Sequence, residues 1–153
     1  FNRRVLYEAG KSMFLRGASE NKSCCCIFFD LDGLKKINDH WGHPEGDEAI
    51  RAMASVLKKS FRNEDLIVRY GGDEFIVLMF DITKTAVRSA LNRFVKHMDD
   101  FNESSGKPWR LNSSWGSNYI PADKKKPTFP ELIQDADTLL YEEKKRKRKE
   151  NAQ

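Results

Sequence analysis

A chain of 153 residues, 39% hydrophobic and 33% charged, has the size of one ordinary domain with a proper core and is too apolar to be disordered. Its formal charge of +4 is misleading, because the run Lys144 to Lys149 alone holds six positive charges and leaves the rest of the chain net acidic. That distribution excludes the basic folded face of a nucleic-acid binder, and no apolar run approaches the ~20 residues of a membrane span.

No signal-peptide pattern opens the chain, which starts Phe1-Asn2-Arg3-Arg4 without an initiator Met and so reads as a piece of a longer protein. Residues 1–18 have helical character, and a loop follows around Gly17 to Ser23. Cys24 to Leu31 is an unbroken apolar run ending in acid, the pattern of a strand buried on both faces. Its three consecutive cysteines alternate between strand faces and lack metal-ligand spacing, so they read as small buried residues in a reducing compartment. Gly33 to His40 predicts a short helix, broken at Trp41-Gly42-His43-Pro44. Pro44 then opens a second helix with an apolar stripe of Ile50, Met53, Ala54 and Leu57.

A charged link, Arg62 to Asp65, leads into two β-prone runs, Leu66 to Val68 and Phe75 to Phe80. Between them Arg69-Tyr70-Gly71-Gly72-Asp73-Glu74 predicts a hairpin turn. Thr83 or Thr85 can cap the next helix, which runs to about Phe101 with Val87, Leu91, Phe94, Val95 and Met98 inward. Asn102 to Pro108 is a polar loop, Trp109 to Ile120 has β character, and Pro121 to Pro130 is an exposed loop. Pro130 to Lys149 forms the last helix, with Leu132, Ile133, Ala136, Leu139 and Leu140 inward. The order α-β-α-α-β-β-α-β-α describes one α+β domain over 1–153 with a ferredoxin-like, split βαβ core, its mainly antiparallel central sheet flanked by helices.

Taken alone, the hairpin is only a polar turn, where Gly and Asp are common for conformational reasons. Two glycines also let another molecule approach the backbone, and two acids stand beside that gap. The other half of a site is found in Asp30-Leu31-Asp32-Gly33-Leu34-Lys35, where a strand ends in acid, turns at glycine and begins a helix. Backbone amides at such a helix start can hold phosphate, and the acid can hold Mg²⁺. An acid ending one strand and Asp73 on a neighbouring hairpin is an arrangement suited to metal-assisted nucleotidyl transfer.

These motifs resemble the GGDEF family of bacterial diguanylate cyclases, which have a nucleotidyl cyclase-like fold. Gly71-Gly72-Asp73-Glu74-Phe75 is the intact signature. Asp30 to Asp47 matches the upstream pattern, Asn2-Arg3-Arg4 the opening, and Ala136-Asp137 through Leu140-Tyr141 to Lys144 the closing helix. The resemblance implies that Asp30, Asp73 and the main-chain carbonyl of Leu31 bind Mg²⁺, with Mn²⁺ a possible substitute. It makes Asp73 the proton acceptor for the attacking 3′-hydroxyl and Lys35 the stabiliser of phosphate charge. Asn38 and Asp47 would recognise guanine, with His43 close by. Gly33 and Leu34 would offer amides to the phosphates, Gly71 and Gly72 would line the approach, and Lys144 and Arg148 would reach the terminal phosphates. Glu74 belongs to the signature without an implied role of its own. The four other basic residues of that run, Lys147 among them, read as a solvated helix end.

Arg62-Asn63-Glu64-Asp65 resembles the family's inhibitory site for cyclic di-GMP, with Arg93 as a secondary contact. The implied activity is condensation of two GTP into cyclic di-GMP by a homodimer subject to product inhibition. The alternatives are an inactive GTP- or cyclic di-GMP-binding regulatory module and a purely structural dimerisation domain. An N-terminal sensor domain would precede the segment in the whole protein. Cytoplasmic placement is implied, with no nucleic-acid partner and no insertion of this segment in a membrane, although the whole protein can be membrane-anchored. Departures from the family pattern are Leu34 for the usual Phe, Trp115 before Gly116, and a tail of Lys147-Arg148-Lys149.

Overall fold

The computed structural model of the protein describes residues 2–152; Phe1 and Gln153, within the predicted span, lie outside the described residues. The chain begins with α1 (Arg3–Val5), a π-helical turn (Leu6–Gly10) and α2 (Lys11–Ser19). There follow β1 (Cys24–Leu31), α3 (Leu34–Trp41), α4 (His43–Ser60), β2 (Leu66–Arg69) and β3 (Glu74–Phe80). Last come α5 (Lys84–Ser104), β4 (Ser113–Ile120) and α6 (Phe129–Ala152). The sheet order is β2-β3-β1-β4 with every neighbour antiparallel, the split βαβ arrangement expected from the sequence.

Strand β1 is central and buried along its whole length, which is why it reads as an uninterrupted apolar run. Cys25, Ile27, Phe29 and Leu31 face one core with residues of α3, α4 and α5; Cys24, Cys26 and Phe28 face the other, with Phe14 of α2 and Leu132, Ala136 and Leu140 of α6. Phe29 packs against Phe61, Phe94 and Trp115 at ring separations of 6.1, 4.9 and 6.2 Å. Such aromatic pairs are each worth about 0.5–1.5 kcal/mol beyond burial. The three thiols are free and buried, and desolvation pushes Cys24 up to about 11 and Cys25 up to about 12.

Helix faces differ from the sequence expectation in places. In α4 the buried stripe is Gly46, Ala49, Ala52, Met53, Val56, Leu57 and Ser60, while Ile50 is only half-buried and Ala54 is exposed. In α5 it is Val87, Ala90, Phe94 and Met98, with Leu91 half-buried and Val95 exposed. Leu139 of α6 is exposed rather than inward. The cause in α4 and α5 is that these helices pack on one another, and small alanines face the contact where larger apolar residues were expected. Thr83 caps α5 by accepting from the Ala86 amide at 3.1 Å.

On the edge strand β4, Gly116 lets α6 lie directly on the sheet: a Cβ there would stand 2.3 Å from both Ala136 O and Leu140 N. This contact seats the helix whose far end reaches the sheet terminus at Asp30.

Candidate active site

Strand register brings the two sequence motifs to one end of the sheet. Asp30 pairs with Glu74, and the Leu31 amide donates to Asp73 O at 2.8 Å. Register partners share a face, so Asp30 and Glu74 both lie on the side that α6 covers. Asp30 is 7% exposed, and its Oδ1 is buried without a hydrogen-bond partner. Its Oδ2 accepts from Lys144 Nζ.

Beside that pair a second acid–base network closes the end of α6. Lys147 Nζ donates to Asp32 Oδ2 at 3.2 Å, to Ser113 O at 3.0 Å and to Ser114 Oγ at 2.9 Å. Ser114 Oγ in turn donates to the Asp32 carboxylate at 3.0 Å. Lys147 is therefore not part of a solvated helix end. Lys147 and Asp32 were missed as site residues, although Leu140, Lys144 and Lys147 recur at the spacing of one helix face. Lys144, Lys147 and Arg148 line a cavity of about 310 Å³ with Asp32, Asn112 and Ser114. Burial, then Arg148 and Lys147 beside it, lowers the Lys144 pKa below its ordinary value.

The turn after β1 is made by Gly33, at φ 74°, a left-handed conformation that suits glycine. Leu34 and Lys35 open α3, and Lys35 is exposed. Asn38 lies in the last turn of α3 and packs on Gly46, where a Cβ would fall 1.8 Å from Asn38 Oδ1. His43 and Asp47, both exposed, sit in the first turns of α4, so Asp47 adjoins the residue that Asn38 touches.

The hairpin is held from outside by the chain's own start. Asn2 N donates to Arg69 O at 2.8 Å, Arg3 Nε donates to Tyr70 O at 3.1 Å, and the Arg3 guanidinium stands 4.3 Å over the Tyr70 ring. Gly72 is open, while Gly71 is buried under the Glu74 side chain. Desolvation, with Asp73 and Asp137 adding to it, raises the Glu74 pKa; Arg3 opposes the shift.

Arg62 and Asp65 lie elsewhere. Asp65 accepts from Arg62 N at 2.7 Å and from Arg62 Nε and NH2 at 3.1 and 2.8 Å, and Arg62 NH2 also reaches Phe80 O at 3.2 Å. Arg93 donates to Ser60 O at 3.1 Å. These residues stand at the end of the sheet where Phe80 pairs with Cys24, remote from Asp30.

The donor set at the sheet end fits a hard divalent cation. A buried carboxylate oxygen lacks a partner, its other oxygen is met by an ammonium, and the surrounding donors are oxygens. Among the described residues no group of three His, Cys, Asp or Glu side chains is placed to hold a metal ion by itself.

An antiparallel four-stranded sheet with acids and a glycine helix-start at one end is that of a nucleotidyl cyclase-like domain. The chain belongs to the GGDEF domain family: a family model described as "Diguanylate cyclase, GGDEF domain" matches residues 1–150. It is 32% identical over 148 residues to the probable diguanylate cyclase DgcT of Escherichia coli, covering 94% of this chain and 32% of that protein. The GGDEF-only form of TpbB (YfiN) from Pseudomonas aeruginosa is 29% identical with a TM-score of 0.80, over 94% of this chain and 84% of that one. The GGDEF domain of DgcB from Caulobacter crescentus, solved in complex with cyclic di-GMP, shares the fold at a TM-score of 0.79 and 22% identity, with 94% and 84% covered. The chain spans about a third of the length of the curated relatives it matches.

Proposed function

We propose that this domain is a diguanylate cyclase: two GTP, one on each of two facing copies, are joined into cyclic di-GMP. Each 3′-oxygen attacks the other nucleotide's α-phosphorus, the bond to the β-phosphate oxygen breaks, and two pyrophosphates leave. The observation that carries this reading is the buried, unpartnered Asp30 Oδ1 beside an intact Gly71–Phe75 hairpin.

Asp30, Asp73 and the Leu31 carbonyl would hold Mg²⁺, with Mn²⁺ able to replace it. Bound there, the ion neutralises charge on the phosphates. Asp73 takes the proton of the 3′-hydroxyl. The amides of Gly33 and Leu34 orient the phosphates, Lys35 offsets charge developing on them, and Lys144 and Arg148 hold the terminal ones. A Lys144 that holds phosphate would no longer meet Asp30, whose carboxylate would then be free to hold the ion. Asp47 accepts from guanine N1–H and N2–H₂ while Asn38 serves its acceptors, with His43 at the rim; adenine would leave these groups unpaired. Gly72 admits the nucleotide close to the hairpin, and Gly71 does so once the Glu74 side chain turns off it.

Arg62 and Asp65 form the core of a product-binding inhibitory site, with Arg93 beside them. The domain works on the cytoplasmic side, behind an upstream sensor region that brings two copies together. Among the described residues no helix is long and apolar enough to cross a membrane.

Incubation with GTP and Mg²⁺ followed by chromatography is expected to yield cyclic di-GMP, and none from Asp73→Ala. Absence of product from the native sequence, even with a dimerising coiled coil fused ahead of Asn2, would overturn the reading. Nucleotide binding without turnover in that fused dimer would assign a regulatory binding module instead.

A further inference from the structure

The polar connection between α5 and β4 holds both the start of α4 and the turn that follows β1. Lys107 Nζ lies 3.2 Å from each oxygen of the Glu45 carboxylate, and Trp109 Nε1 donates to Glu45 Oε1 at 3.1 Å. Glu45 stands in the first turn of α4, next to Gly46 and two residues before Asp47. The interaction is sheltered: Trp109 is 4% exposed, and the Lys107 and Glu45 side chains are 30% and 26% exposed.

The connection is itself anchored. Trp109 stacks on Phe101 of α5, and Asn102 both donates to Leu111 O at 2.8 Å and accepts from Leu111 N at 2.6 Å. Its last residue, Asn112, accepts from the Asp32 amide at 2.8 Å and so holds the turn that follows β1. Gly42, at φ 91°, is the one residue between α3 and α4, and the tie through Glu45 is a second hold on α4 from outside that junction.

We propose that Glu45, held by Lys107 and Trp109, is a positioning residue that fixes the first turn of α4, and with it Asp47 and the Gly46 seat of Asn38, for guanine. The inference rests on the nucleotide reading given above. Glu45 touches no reacting atom in this scheme. Its carboxylate is also favourable at a helix N-terminus for electrostatic reasons alone, so the test leaves it in place and removes its partners.

The double variant Lys107→Met, Trp109→Phe keeps the aliphatic stem and the aromatic stacking while deleting all three hydrogen bonds to Glu45. Calorimetric binding of a non-hydrolysable GTP analogue with Mg²⁺ is expected to weaken 5- to 20-fold (~1–2 kcal/mol). Competition by inorganic tripolyphosphate, which has no base, should stay within twofold of the native protein, and in turnover KM for GTP should rise while kcat holds. Unchanged affinity for the analogue in the double variant overturns the brace, as does an equal loss for tripolyphosphate, which would mark general loosening. If the native protein does not bind the analogue at all, the nucleotide reading fails and this inference falls with it.

Discussion

At Gly46 a single hydrogen stands where a methyl group would displace Asn38. The conflict is with the end of a flexible, half-buried side chain rather than with backbone, so the fold can relieve it by turning Asn38 away. That rotation costs about 0.5–1.5 kcal/mol, and alanine returns about 1 kcal/mol of helix propensity. Gly46→Ala should therefore leave the melting temperature nearly unmoved while raising KM for GTP tenfold or more. A variant with native KM would show that Asn38 does not read the base. Residues of this kind were legible because each motif places them at a turn or helix start. Lys147 and Asp32 were not, because a six-residue basic run hides which of its members face the protein. Only the sheet beneath α6 distinguishes Lys147, which meets Asp32 and two serines, from Lys145 and Lys149, which are exposed.

Among the elements, strands and helices were legible in kind and order, since β1 is buried on both faces and the helices are amphipathic. Faces were harder to read. Val95 and Leu139 have the composition of core residues yet are exposed, while Ala52 and Ala90 are buried, because close packing selects for size as well as apolarity. Gly116 shows the same demand at its limit. The atoms a Cβ would meet there, Ala136 O and Leu140 N, are backbone and cannot move unless α6 moves. Gly116→Ala should thus cost about 3 kcal/mol, the upper end of ordinary overpacking, and lower the melting temperature by about 6–12 °C. Since α6 carries Lys144 and Arg148, the same variant should also weaken tripolyphosphate binding. Thermal melts beside the binding assay check both; a melting temperature within 2 °C of native would mean that α6 is not seated as described.

Across the whole molecule, the Asp30–Glu74 pair and the Arg62–Asp65 turn stand at opposite ends of β3. Seven residues of strand, Glu74 to Phe80, separate them, a span of about 20 Å. Product held at Arg62 cannot touch reactants at Asp30 of the same copy, so inhibition must act through the relative placement of two copies or through β3 and its neighbours. Arg62 also has structural work, because its guanidinium pairs with a carboxylate that is fully buried. Removing it leaves Asp65 with only the Arg62 amide. Arg62→Ala should consequently show two effects that separate by measurement. Stability should fall by about 1–3 kcal/mol, the usual cost of an unmet buried polar group. Inhibition by cyclic di-GMP should weaken tenfold or more while the initial rate, assayed well below the melting transition, stays within twofold. Arg62→Lys keeps a cation near Asp65 but loses the planar fork, so it should recover part of the stability and little of the inhibition. Full inhibition in both variants would place the product-binding site elsewhere and leave Arg62 as a strut between the charged turn and the end of β3.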